Sequence, residues 1–366
     1  MSKYNWTIDT LIDRLKLIEK LIQTETDKRK LKLLKGDYYN LQSHIEEYFE
    51  KDEYNKLKLL ESYEFFKEHL KEYEFLWGDF KEFSETLDEP IIVPELKTCS
   101  LSKDDLLDIT HDFYLSLNGL FFGNFMKNFY RKNDHIVFRN KGETFYNGET
   151  IALPSLKESF IEICRVHTLE DLITIIHEYM HATSVSINPK HLNANKTIFT
   201  EVDTIFIELL ANDYIEKLFQ DKSSIILKAN DFNEHLQRAD DINAVLDLME
   251  AEKYTKNGYI NNKILKEIGK RYCELGNIET ELILDNSNQS ETLYLTAYII
   301  AIELYYLYKI DKDKALNTLR KIIELECNDE LQYYQNIRGL GIIPNMHLRS
   351  FEHDLQQEAR TLKKSK

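Results

Sequence analysis

Proline and glycine are scarce, 5 and 11 residues in a chain of 366. Both interrupt helices, one by lacking an amide hydrogen and the other by its backbone freedom. Their scarcity suits long helices with few breaks. Cysteine is scarcer still: Cys99, Cys164, Cys273 and Cys327 are widely spaced and match no zinc-knuckle pattern. They read as reduced thiols of a cytoplasmic protein. Positive charge is in deficit, with 47 Lys and Arg against 63 Asp and Glu, a formal net charge of −16. That argues against nucleic acid as a partner, which needs a basic face, and favours solubility. The first ten residues hold no apolar signal core. No run reaches 18 uncharged apolar residues, so no membrane span is expected. Residues 293–307 come nearest, but Glu303 and several tyrosines interrupt them, and a buried helix explains them better. No internal repeat or low-complexity segment is present. Hydrophobic residues make up 43%, enough for a sizeable core in one or two domains.

Against this background five residues stand out: His177, Glu178, Tyr179, Met180 and His181. The His-Glu-x-x-His pattern lies in a stretch, 169–184, that reads as a helix opened by a Thr168-x-x-Asp171 capping box. Leu172, Ile173, Ile175, Ile176, Tyr179 and Met180 cover most of that helix, as a buried helix requires. Residues four apart share a helix face, so His177 and His181 can aim two imidazole nitrogens at one zinc ion. Glu178 is placed to act as a base on a water at that zinc. Two histidines and a glutamate inside an apolar helix are costly without partners, and a metal is the obvious one.

A catalytic zinc uses three protein ligands and leaves a position for water. Glu201 lies 20 residues after His181, beyond a stretch whose Asn188-Pro189 and Asn193 to Lys196 can turn the chain back. Glu208, embedded among Phe206, Ile207, Leu209 and Leu210, is seven residues further on and shares a helix face with Glu201. Either carboxylate satisfies the geometry. Glu201 is taken as the ligand and Glu208 as the group that orients a ligand histidine. Hydrolysis also needs a donor for the developing oxyanion. The tyrosine-rich helix over 293–308 offers Tyr294, Tyr298 and Tyr305 on one stripe, although such stripes also serve core packing.

The segment Glu201-Val-Asp-Thr-Ile-Phe-Ile-Glu208 resembles the Glu-x-x-Ser-x-x-x-Glu element of the thimet oligopeptidase and oligopeptidase F family. Tyr294 and Tyr298 match that family's late Tyr-x-x-x-Tyr pair. The resemblance runs from about residue 146 to 305. It implies Glu201 as the third ligand with Glu208 nearby. It implies that Tyr298, with Tyr294 beside it, reaches the scissile carbonyl. It also implies a largely helical fold with a channel that admits short peptides. Three departures are visible. The family usually has Gly where this chain has Met180, so a repacked neighbour is expected. The histidine that often precedes the tyrosine pair is absent from 286–292. The chain is also much shorter than typical members, so a reduced helical lid is expected.

The expected fold is mainly α: a helical zincin-type catalytic core over 96–366 with a small sheet, and an N-terminal helical region over 1–95. In the first region Leu11, Ile12, Leu15, Ile18, Leu21 and Ile22 mark an amphipathic helix, and Pro90 to Pro94 mark a linker. Ser102-Lys-Asp-Asp105 caps a helical run to about Tyr130. Short strands are expected at Ile136 to Phe138, Thr144 to Tyr146 and Glu149 to Leu153, with turns at Gly142 and Asn147-Gly148. Helices follow near 222–285, 311–327 and 347–363. The functional expectation is a zinc metallopeptidase with one zinc per chain, ligands His177, His181 and Glu201, and Glu178 as general base. Its partners are short peptides; an edge strand beside the helix can hold an extended peptide through its main chain, and a small structural sheet fits the same residues equally well. Two other readings remain at this level: a zincin-fold peptide-binding protein without activity, and a helical interaction protein with an accidental motif.

Overall fold

The computed structural model describes residues 8–49, 59–86, 90–96, 100–139, 147–156, 158–164, 167–191, 199–220, 222–253 and 289–364. The expected strand at Thr144 to Tyr146, the turns at Gly142 and Asn193 to Lys196, Cys99, Cys273 and the helical stretch after 253 lie outside them. Cys164 and Cys327 are present as thiols.

The described chain opens with an antiparallel pair, α1 (Ile8–Thr24) and α2 (Lys28–Phe49), followed by α3 (Leu59–Glu72) and α4 (Trp77–Thr86). Next come α5 (Lys103–Ser116), α6 (Gly119–Phe129) and the short α7 (Lys132–His135). The expected cap of α5 forms. The Ser102 hydroxyl accepts from the Asp105 amide, and the Asp105 carboxylate accepts from the Ser102 amide.

Three strands then form one sheet in the order β1 (Ile136–Arg139), β3 (Glu158–Cys164), β2 (Gly148–Leu153). β1 runs parallel to β3 and β2 antiparallel to it. The central strand β3 is absent from the sequence reading. Its Phe160 is buried on one face and its Ile161 and Ile163 on the other, so it lacks the polar–apolar alternation that marks a half-exposed strand. One face of the sheet meets α1 and α2 through Leu11, Ile18, Leu34, Leu41, Val137, Ile151, Leu153 and Phe160. Arg14 pins that layer by pairing with Glu158 at 2.6 Å. Asp37 adds a second tie by accepting from the Ser155 amide and hydroxyl.

The other face turns Ile136, Ile161 and Ile163 into the main core. There α8 (Leu169–Ile187) packs against β2, β3, α6 and α9 (Val202–Phe219). α9 also packs on α11 (Gln289–Ile310), and α10 (Ser223–Lys253) packs on both. α12 (Lys312–Glu324), α13 (Glu330–Gly339) and α14 (Leu348–Lys364) complete the chain. α11 is the one described helix long and apolar enough to cross a membrane, by length and composition; most of that stretch is buried in this core. Of the expected N-terminal region, α1 and α2 cover the sheet. Phe66, Leu70, Phe80, Phe83 and Ile91 instead join the core that holds α8 and α9. Met180 is fully buried there as well.

Candidate metal centre

The helix that carries His177 and His181 starts where the sequence sets it. The Thr168 hydroxyl accepts from the Asp171 amide, and Asp171 accepts from the amides of Thr168 and His167. The end of α8 is then tied to the start of α9. Asp203, fully buried in the first turn of α9, accepts from the Ser184 hydroxyl near the end of α8 and lies 3.2 Å from His191 Nε2. This tie holds the start of α9, and therefore Glu201, over the histidine face of α8.

The Nε2 atoms of His177 and His181 each lie 3.2 Å from one oxygen, Glu201 Oε2. One donor atom from each of the three residues falls within 4.8 Å of the others, and the residues are buried or nearly so. The donor set fits zinc: metal–ligand bonds of 2.0–2.1 Å in a tetrahedron put ligand atoms about 3.3 Å apart. Thr204, fully buried one turn into α9, donates to Glu201 Oε2 at 2.8 Å and braces it. Glu208 takes a different place. Its Oε1 lies 2.6 Å from His177 Nδ1, the nitrogen on the far side of the ring from Glu201. With the proton on Nδ1, the Nε2 lone pair faces the other ligands. Glu201 and Glu208 are thus not equivalent, although their spacing makes them look so. His181 has no such brace: its Nδ1 is buried without a hydrogen-bond partner among the described residues.

Burial works against a charge on either imidazole. Glu208 and Glu201 outweigh it and hold His177 well above its ordinary pKa. Glu201 likewise outweighs burial at His181 and raises its pKa. Burial likewise opposes a charged Glu201, and the two imidazoles more than offset it, holding this carboxyl well below its usual range.

Glu178 is 5% exposed and faces the sheet. The Thr150 hydroxyl on β2 lies 2.7 Å from its Oε2 and 2.9 Å from its carbonyl oxygen. Burial raises the Glu178 pKa, while His177, His181 and Thr150 pull against that rise. The start of β2 comes so close that a Cβ on Gly148 would fall 2.5 Å from Thr174 Cγ2 and 2.9 Å from Glu178 Oε1. Neither Thr150 nor Gly148 was picked out from the sequence as a site residue. The Asn147-Gly148 dipeptide reads there as a turn, and its demand for a bare Cα shows only in three dimensions.

β2 is also an edge. Cys164 donates to the Asn147 carbonyl at 2.8 Å, and the register pairs Glu149 with Glu162 and Ile151 with Phe160. In an antiparallel ladder alternate residues bond inward. Gly148 and Thr150 therefore turn their amide and carbonyl away from β3, and both are partly exposed.

The structure separates the three tyrosines of α11. Tyr305 gives its hydroxyl to both oxygens of Asp213, at 2.9 and 2.8 Å. Tyr298 is fully buried, stacked on His235 at 3.9 Å with Asp231 beside its hydroxyl. Tyr294 is partly exposed. Burial pushes its phenol above the ordinary range, and Glu201, Glu178 and Glu208 add to the push, which sets it in the field of the site carboxylates. The expectation that Tyr298 leads this group does not match its enclosure. Tyr294 has the open position.

No family model matches the chain, and no curated protein resembles it in sequence. Solved structures do resemble it. A Chlamydophila abortus protein assigned as a peptidase has a TM-score of 0.53 at 12% identity, over 97% of this chain and 64% of that one. A protein of Bacillus anthracis str. Ames assigned as an oligoendopeptidase F has a TM-score of 0.50 at 14% identity, over 98% and 62%. PZ peptidase A, solved with an inhibitor, has a TM-score of 0.50 at 12% identity, over 95% and 71%. The chain shares the mainly α fold of these structures, with its small sheet of three strands. The chain spans less than two thirds of the length of the first two structures.

Proposed function

We propose that this chain is a zinc-dependent peptidase acting on short peptides. The observation that carries the reading is the convergence of His177 Nε2 and His181 Nε2 on one Glu201 oxygen, each at 3.2 Å, with Glu178 buried beside them. His177, His181 and Glu201 would hold the zinc, which when bound supplies Lewis acidity toward a water and the peptide carbonyl.

The remaining steps belong to the protein. Glu178 accepts the proton of the attacking water and passes it to the leaving amine. The Thr150 hydroxyl steadies its ionised form. Tyr294 donates to the oxyanion of the tetrahedral intermediate. Its partial exposure supports this role over Tyr298. The outward amides and carbonyls of Gly148 and Thr150 would pair with an extended substrate through its main chain. Such pairing ignores most side-chain identities, which favours a range of peptide sequences.

The test is metal content beside cleavage of a mixed peptide library, for wild type and Glu178→Gln. One zinc in both with cleavage in wild type alone is the expected result. A fully active Glu178→Gln protein sinks the assignment. Zinc in both without any cleavage would favour a peptide-binding protein. No zinc in either would leave a helical interaction protein.

A further inference from the structure

α10 carries Asp231, His235 and Arg238 at spacings of four and three, so they share one helix face. That face meets the tyrosine pair of α11. His235 lies flat on Tyr298, with rings 3.9 Å apart and 15° between planes. Arg238 lies over Tyr294, its Cζ 4.9 Å from the ring centre. Two tyrosines four residues apart are thus each covered by a group from one neighbouring helix.

The guanidinium is fixed at both ends. Nη1 bonds to Glu291 Oε2 at 2.9 Å, and Nη2 pairs with Glu234. Glu291 sits one turn before Tyr294 on α11, so Arg238 grips the helix segment that carries this tyrosine. The arginine side chain is 17% exposed, and its charge is matched by two carboxylates. A cation so matched is poorly placed to recognise an anionic substrate group. What remains is its effect on the ring beneath it. A cation over an aromatic face stabilises negative charge in that ring. Negative charge grows on a phenol oxygen as its proton is shared with an oxyanion. Burial and the carboxylates of Glu201, Glu178 and Glu208 oppose that charge; Arg238 acts in the other direction.

We propose that Arg238 is a positioning residue for Tyr294, clamping its ring between α10 and α11 and strengthening it as a donor to the oxyanion. The proposal rests on the peptidase reading above. A lysine would keep the charge but lose the planar fork that reaches both glutamates.

The experiment compares wild type, Arg238→Met, Tyr294→Phe and the double variant, reading kcat and KM separately. Affinity for a phosphinic peptide, a mimic of the tetrahedral anion, is read by calorimetry on the same proteins. Tyr294→Phe is expected to lower kcat about a hundredfold. Arg238→Met is expected to lower kcat about tenfold, with KM within about twofold, as befits loss of one partly desolvated cation–ring contact. In the Tyr294→Phe background the same change should cost less than about twofold in kcat and in phosphinic peptide affinity, because its route of action is gone. Equal losses in both backgrounds, or a loss confined to KM, would overturn the proposal. Should Arg238→Met fail to fold, Arg238→Gln, which also removes the charge, carries the same cycle. An additive cycle in an active enzyme condemns only the role of Arg238. A wild type without turnover condemns the peptidase reading, and this proposal with it.

Discussion

Replacing Gly148 with alanine adds one carbon at a close approach between the sheet and the helix of the His-Glu-x-x-His motif. That carbon would lie 2.5 Å from Thr174 Cγ2, 2.9 Å from Glu178 Oε1 and 3.0 Å from Glu178 Cγ. Ordinary carbon contacts lie near 3.5–4.0 Å, so the overlap is about 1 Å with Thr174 and about 0.5 Å with Glu178. Gly148 is not in the left-handed region, so its backbone accepts alanine without strain and the cost is steric alone. Thr174 is partly exposed, but its hydroxyl bonds to the Glu170 carbonyl at 3.1 Å. Glu178 is buried and tied to Thr150. Neither side yields freely. Overpacking of this kind typically costs about 1–3 kcal/mol of stability. A displacement of a catalytic group by about 1 Å can cost about a hundredfold in rate, or about 2.7 kcal/mol of barrier.

The assay is kcat on a quenched fluorescent peptide, with zinc content and thermal melting measured alongside. Gly148→Ala should keep its zinc, since no ligand is touched, and lose about a hundredfold in kcat. Adding Thr174→Ala removes the 2.5 Å clash but leaves Glu178 pressed. The double variant should therefore regain most of the lost stability and little of the lost rate. A Gly148→Ala protein with wild-type kcat and melting would refute the claim that this close approach sets the position of Glu178.

Two further predictions concern the groups around the site. Glu208→Gln removes the charge that holds the His177 ring, and should weaken zinc binding about 10–100-fold in competition with a chelator; unchanged affinity would remove Glu208 from the site. Thr150→Val deletes a hydrogen bond that holds the Glu178 pKa down. As the proposed base, Glu178 works only when ionised, so the acidic limb of kcat/KM should move to higher pH, and a limb that stays or moves down contradicts the assignment.

The helix that carries His177 and His181 is legible in the sequence because its signals are local. A cap, an apolar surround and a four-residue spacing all lie within twenty residues. The roles of Glu201 and Glu208 were less so. A spacing of seven puts both on one face, and only the tilt of α9 over α8 decides that one meets Nε2 and the other Nδ1. The tyrosine stripe shows the same limit. Periodicity aligns Tyr294, Tyr298 and Tyr305, but which of them is covered depends on His235 of α10 and on Asp213 of α9. Strand β3 was missed because burial on both faces removes the alternation that betrays a strand. Gly148 was seen as a turn residue because the helix that crowds it lies some thirty residues away in sequence.

His177, His181, Glu201 and Glu208 give the site a definite response to pH. Both imidazoles are held above their ordinary pKa, His177 against burial by Glu208 and Glu201, and His181 by Glu201. A metal needs the Nε2 lone pairs, so protons must leave as it enters. Apparent zinc affinity should therefore rise with pH, by up to about a hundredfold per unit while two protons are displaced, and flatten once both imidazoles are neutral. The metal-free protein should behave in the opposite sense. A raised folded pKa means that the imidazolium–carboxylate contribution to stability is fully present below the unfolded value near 6.5. It is lost as pH rises through the folded values. Melting temperatures in chelator should then fall as pH rises above the unfolded value of about 6.5, while the increment given by added zinc grows over the same range. An increment that stays flat or shrinks with pH would mean that zinc does not displace protons from these histidines. The ligand set argued from the 3.2 Å contacts would then be wrong.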